Sequence, residues 1–137
     1  MANPPPTAPP RVLLVMPDQW PRALLRAELR ERGYDAAGAR DLLEALSEGE
    51  AAGGPVRLIL VDQQALAEGD AELLRDLVNR LVADHPGAAV MLLSGTMHKE
   101  PEGPWQQVLR RPMSISEIVT AVQRAVPLPP GERHPLD

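Results

Sequence analysis

Cysteine is absent from the 137 residues, which excludes a disulfide framework, a thiolate zinc site and a cysteine nucleophile. No apolar run approaches the length of a membrane span, so the expectation is a soluble protein without a membrane partner. The N-terminus, Met1-Ala2-Asn3 followed by prolines, lacks the basic and apolar regions of a secretory signal, and the cytoplasm is the expected compartment. Clustered basic charge is missing as well. The net charge is −5 and the arginines are scattered among acids, which argues against a nucleic-acid partner. His85, His98 and His134 have no spacing that gathers metal ligands. There is no Gly-x-Gly-x-x-Gly and no phosphate loop, which disfavours dinucleotides and nucleoside triphosphates. Ser94 lies in no Gly-x-Ser-x-Gly elbow, which disfavours a hydrolase triad.

What remains is a chain of one-domain length with 44% hydrophobic residues. Of its 16 prolines, five lie in residues 1–10 and four in 127–137. Pro4-Pro5-Pro6 and Pro127-Leu128-Pro129-Pro130 cannot enter a helix or a central strand, so 1–10 and 127–137 are expected to be disordered ends around a domain at 11–126.

Within 11–126 two periods alternate. Val12 to Val15 reads as a buried strand, followed by a helix over Pro21 to Arg32 with Leu24, Leu25 and Leu29 inward and Gly33 as its cap. Tyr34 to Ala39 is a weak strand. Asp41-Leu42-Leu43-Glu44 has helix-start spacing, with Leu42, Leu43 and Leu46 on the apolar face. Gly53-Gly54-Pro55 breaks the chain before the strand Leu58 to Val61. Leu73, Leu74, Leu77, Val78, Leu81 and Val82 repeat at helical spacing up to His85-Pro86-Gly87. Ala89 to Leu93 and Val108-Leu109 are the last strands, and Ser114-Ile115-Ser116-Glu117 is a capping box opening the final helix. Such alternation implies a parallel sheet covered on both faces. The stretch Gly95 to Trp105 carries Pro101, Gly103 and Pro104 and no helical repeat, so a fourth helix before the last strand is short or missing.

Asp62 closes the run Leu58-Ile59-Leu60-Val61, which puts a carboxylate at the C-terminal edge where open α/β sheets place their chemistry. With Asp62 after the third strand, Ser94-Gly95 after the fourth and Arg111-Pro112 after the fifth, the chain resembles the receiver domain of bacterial response regulators. The likeness covers 11–126. It implies a flavodoxin-like, doubly wound five-stranded parallel sheet of order 2-1-3-4-5. It further implies Asp62 as phosphoacceptor, Ser94, Gly95 and Arg111 as phosphate-contact positions, and a cis bond before Pro112.

The pattern also departs from that family. Where it carries two adjacent acids for Mg²⁺, this chain has Met16-Pro17, with Asp18 one residue late. A thioether and a proline ring are poor ligands for a hard cation that demands oxygen donors. Asp18 and Asp62 are the only candidate metal ligands, and Mg²⁺ is expected only if the pocket is active. Met16, Met91 and Met113 read as packing residues. Arg111 stands where the family has Lys, and can either contact phosphate or pair with Asp62. The family's aromatic switch position in the fifth strand is Val108 here; the chain has no Phe, and Trp105 is out of register.

The favoured reading is a stand-alone pseudo-receiver in two-component signal transduction. It is not an enzyme, carries no cofactor and acts through protein partners such as a histidine kinase, with a homodimer allowed. No output domain is expected after residue 126, so output passes through surface contacts. One alternative is an active phosphorelay receiver phosphorylated on Asp62. Another is a small flavodoxin-like ligand binder or enzyme using the same strand ends.

Overall fold

The structure is a computed structural model that describes residues 8–51, 55–67, 69–95 and 99–128. Most of the proline-rich head and tail, the Gly53-Gly54 break, Thr96, His98 and His134 lie outside these residues. Five strands, β1 (Arg11–Val15), β2 (Asp35–Ala39), β3 (Val56–Asp62), β4 (Ala89–Ser94) and β5 (Gln107–Arg110), form one parallel sheet of order β2-β1-β3-β4-β5. Four helices alternate with them: α1 (Gln19–Arg32), α2 (Leu42–Ala51), α3 (Ala71–Asp84) and α4 (Ile115–Ala125). This is the doubly wound architecture expected from the alternation.

Side-chain alternation along each strand divides the core into two layers. Val12, Leu14, Leu58, Leu60, Met91, Leu93 and Leu109 face α1 and α4. Leu13, Val15, Ile59 and Val61 face α2 and α3. The central strands β1 and β3 are buried on both faces, which is why they read as continuous apolar runs rather than alternating ones. Met16 and Met91 are core residues, and Met113 packs against the same layer.

The helix boundaries follow from local chemistry. Gly33 ends α1 with φ 107°, a left-handed conformation that costs a Cβ-bearing residue energy, and its N–H closes on the carbonyls of Leu29 and Arg30. At the start of α4 the Ser114 side chain accepts from the Glu117 N–H, and the Glu117 carboxylate accepts from the Ser114 N–H, each at 3.1 Å. Three leucines expected to face inward do not. Leu24, Leu43 and Leu73 are 51%, 67% and 56% exposed. Each sits near a residue that takes the inward direction, and at about 100° per residue a helix over a sheet cannot bury neighbouring positions equally.

Among the described residues no helix lies between β4 and β5. Residues 99–106 cross that gap as an extended loop, and Trp105 fills part of the space on the α2–α3 side. A Cβ at Gly103 would lie 2.5 Å from the Trp105 ring, so only glycine lets the chain pass the indole. No described helix is long and apolar enough to cross a membrane.

Candidate functional site

The C-terminal edge of the sheet brings together the ends of β1, β3, β4 and β5. Asp62 ends β3 paired with Leu93, and Ser94 ends β4 paired with Arg110, so in-register pairing sets Asp62 and Ser94 on adjacent strands. Asp62 is 1% exposed and Ser94 2%. The Arg111–Pro112 peptide bond is cis, and Arg111 points back into the edge.

Arg111 meets Asp62 with both prongs of its guanidinium. Nη2 donates to Oδ2 at 2.6 Å and Nη1 to Oδ1 at 3.2 Å. The same Nη1 lies within 3.5 Å of the Leu93 and Ser94 carbonyls, so it also caps the end of β4. This fork-to-fork geometry is the strong form of an arginine–carboxylate contact, and a point-charge ammonium cannot reproduce it. Asp62 Oδ1 accepts a further bond, at 2.9 Å, from the N–H of Gln64 in the short 3-10 turn Gln63–Leu66. In this structure Arg111 is paired with Asp62.

Two residues passed over in the sequence belong to the site. Gln63 accepts from the Gly95 N–H at 2.8 Å and donates to the Lys99 carbonyl at 2.9 Å. Arg22, on α1, donates to the carbonyls of Met16 and Pro17 at 2.7 and 3.3 Å and so holds a second guanidinium at the β1–α1 turn. The spacing of Arg22, Arg26 and Arg30 marks one helical row, and Arg26 and Arg30 both donate to the Ala36 carbonyl of the edge strand β2. For Gln63 nothing in the chain pointed to Gly95, which lies 32 residues away.

The donor set is a poor fit for Mg²⁺. Met16 is buried in the core, Asp18 is the exposed residue just before α1, and the one buried carboxylate at the edge among the described residues is paired with Arg111. Two guanidinium groups already stand by this edge, and a divalent cation would add to that charge rather than offset it. No group of three or more histidine or acidic residues placed to hold a metal ion occurs among the described residues. Val108 sits in β5 opposite Leu92, half-buried on the α2–α3 side where the loop 99–106 replaces a helix. His85 closes α3 and is the one histidine among the described residues.

No protein-family model matches the chain, and no curated protein matches it. Solved structures do. The chain is similar to the Vibrio cholerae chemotaxis protein CheY4 at 20% identity, covering 87% of this chain and 100% of that one with a TM-score of 0.67. A response regulator from Thermotoga maritima aligns at 17% identity over 86% of this chain and 98% of its own, TM-score 0.66. The signal receiver domain of an HD domain-containing protein from Pseudomonas fluorescens Pf-5 aligns at 23%, covering 85% and 94%, TM-score 0.66. With five parallel strands in the order β2-β1-β3-β4-β5 and a buried aspartate at the end of β3, this chain has the fold of response-regulator receiver domains.

Proposed function

We propose that this protein is a pseudo-receiver: a signalling module that works through protein–protein contacts and does not undergo Mg²⁺-dependent phosphorylation on Asp62. The observation that carries the reading is the bidentate Arg111–Asp62 pair, with the carboxylate 1% exposed. A carboxylate must be free to attack a phosphoryl donor, and the transferring group needs uncommitted positive charge beside it. Here each satisfies the other. The missing acids at Met16-Pro17 support the same conclusion, because the cation that would gather the phosphoryl oxygens has no site to sit in. The protein then acts as a non-enzymatic, cofactor-free component of cytoplasmic signalling, with a histidine kinase or another signalling protein as partner and a homodimer allowed.

The active-receiver alternative has one observation in its favour, the convergence of Asp62, Ser94 and Arg111 on one edge. Incubation with a small-molecule phosphodonor and Mg²⁺, followed by intact-mass analysis, separates the two. The expected spectrum is that of the unmodified chain. A phosphorylated species that disappears in Asp62→Asn would overturn the proposal in favour of a working phosphoacceptor.

A further inference from the structure

The Gly95 N–H is the backbone donor that follows β4 at the site edge, and it is already bonded to a side chain of this same protein. Gln63 Oε1 accepts from it at 2.8 Å, while the other end of that amide, Nε2, donates to the Lys99 carbonyl at 2.9 Å. One partner is a donor and the other an acceptor, so a single orientation of the amide satisfies both. The Gln64 N–H and both Arg111 prongs are in turn held by Asp62. These donors are thus each bonded within the chain.

Lys99 begins the loop that stands where a helix is absent. Four polar contacts and the packing of one indole make residues 99–106 one organised unit. Trp105 Nε1 donates to the Pro101 carbonyl at 2.9 Å, and the indole packs against the α2–α3 core. Glu100 pairs with Arg110 of β5. Gln106 clasps Val90 of β4 twice, its N–H reaching the Val90 carbonyl at 2.8 Å and its Oε1 accepting from the Val90 N–H at 3.1 Å. Gln63 is therefore the side chain that joins the site edge to this unit.

We propose that Gln63 is an autoinhibitory latch. Through one side-chain amide it occupies the Gly95 donor and fixes the 99–106 loop, so the availability of that donor and the position of Trp105 change together as one two-state element. The proposal rests on the closed-pocket reading and adds its regulation. An event that draws Gln63 away, such as a partner competing for its amide, frees the Gly95 N–H and releases the loop in the same step.

The test uses the full chain in a Trp20→Phe background, where Trp105 is the remaining tryptophan of two. Amide exchange at Gly95 is followed by NMR, and Trp105 by acrylamide quenching. In Gln63→Ala the Gly95 amide exchanges roughly tenfold faster, the loss of about one hydrogen bond, and Trp105 becomes more quenchable. Gln63→Glu keeps the acceptor but loses the donor, so Gly95 stays protected while Trp105 is released. Unchanged Gly95 exchange in Gln63→Ala overturns the latch, and so does faster exchange with an unmoved Trp105. Should Gln63→Ala fail to fold, the wild-type protein decides: slow exchange of the Gln63 side-chain N–H protons supports the latch, and free exchange overturns it. Phosphorylation of the wild type would defeat the proposed function whatever Gln63 does. A wild type inert to the phosphodonor, with Gly95 and Trp105 indifferent to Gln63→Ala, would defeat the latch alone.

Discussion

Arg111→Met removes the positive partner of a carboxylate that is 1% exposed, and its cost can be worked from the geometry. Breaking a fully buried pair by deleting one member costs about 3–5 kcal/mol, because a charge is left behind without compensation. Two features lower that figure here. The Arg111 side chain is 31% exposed, so water can enter where it stood, and Asp62 keeps its bond from the Gln64 N–H. A loss of about 2–3 kcal/mol is the result. For a chain of this length each kcal/mol moves Tm by roughly 3–4 °C, so thermal unfolding followed by circular dichroism should shift down by about 6–12 °C. The double variant Asp62→Leu plus Arg111→Met should regain most of that loss, since an apolar pair of similar volume replaces a desolvated ion pair at little net cost. The coupling free energy from the cycle should be about 2 kcal/mol. If Arg111→Met melts within about 2 °C of the wild type, or if the double variant is as unstable as the two single changes added, the pair does not close the site in solution and the functional proposal loses its support.

Other expectations are simpler to check. With Met16 and Pro17 where two acids would stand, Mg²⁺ should leave the wild-type Tm unchanged; a rise with concentration, as linkage requires for a bound ion, would show that Asp18 and Asp62 hold the metal after all. Tyr34 donates to the Val126 carbonyl across the chain, and burial raises its pKa above the ordinary 10.0. A raised pKa means the neutral form is favoured in the folded state. Its contribution is therefore complete below the unfolded pKa and is lost as pH rises through the folded one. Alkaline unfolding should accordingly be steeper in the wild type than in Tyr34→Phe, and at neutral pH that variant should lose about 1–2 kcal/mol in denaturant titration. Ser114→Ala removes the capping bond to the Glu117 N–H and should cost about 1 kcal/mol, with no effect on Trp105 fluorescence.

The fold was legible because it rests on periodicity that no distant contact can disguise. The run Leu58 to Val61 is apolar throughout since β3 is covered on both faces, and the capping box at Ser114 is a local motif satisfied within one turn. Direction was less legible than type. Leu24, Leu43 and Leu73 fit their helical repeats, yet the sheet buries only the Leu25–Leu29, Leu42–Leu46 and Val78–Leu81 edges of those stripes. The site divides in the same way. Ser94 and Arg111 came from the resemblance to receiver domains, and Asp62 was readable because an acid ending an apolar strand falls at the C-terminal edge of the sheet. Gln63 and Arg22 were not, because their partners are backbone groups, the Gly95 N–H and the Met16 and Pro17 carbonyls, which carry no side-chain signal.

The departures at Met16-Pro17, at Arg111 and in the segment before β5 are physically connected. With Met16-Pro17 in place of acids at the end of β1, Asp62 is balanced in the structure by Arg111, and a buried carboxylate without a partner is too costly to keep. A guanidinium on Arg111 meets that requirement better than an ammonium, because its fork reaches both Asp62 oxygens and the Ser94 carbonyl at once. Beside that pair the Gly95 N–H needs an acceptor of its own. Gln63 supplies one from the adjacent position in the chain. The second half of that amide then requires an acceptor of its own, and the Lys99 carbonyl is within reach because residues 99–106 form a loop. A helix over those residues would commit most of its backbone carbonyls to its own N–H groups. Arg111, Gln63 and the 99–106 loop thus form one network of mutually satisfied polar groups beside Asp62.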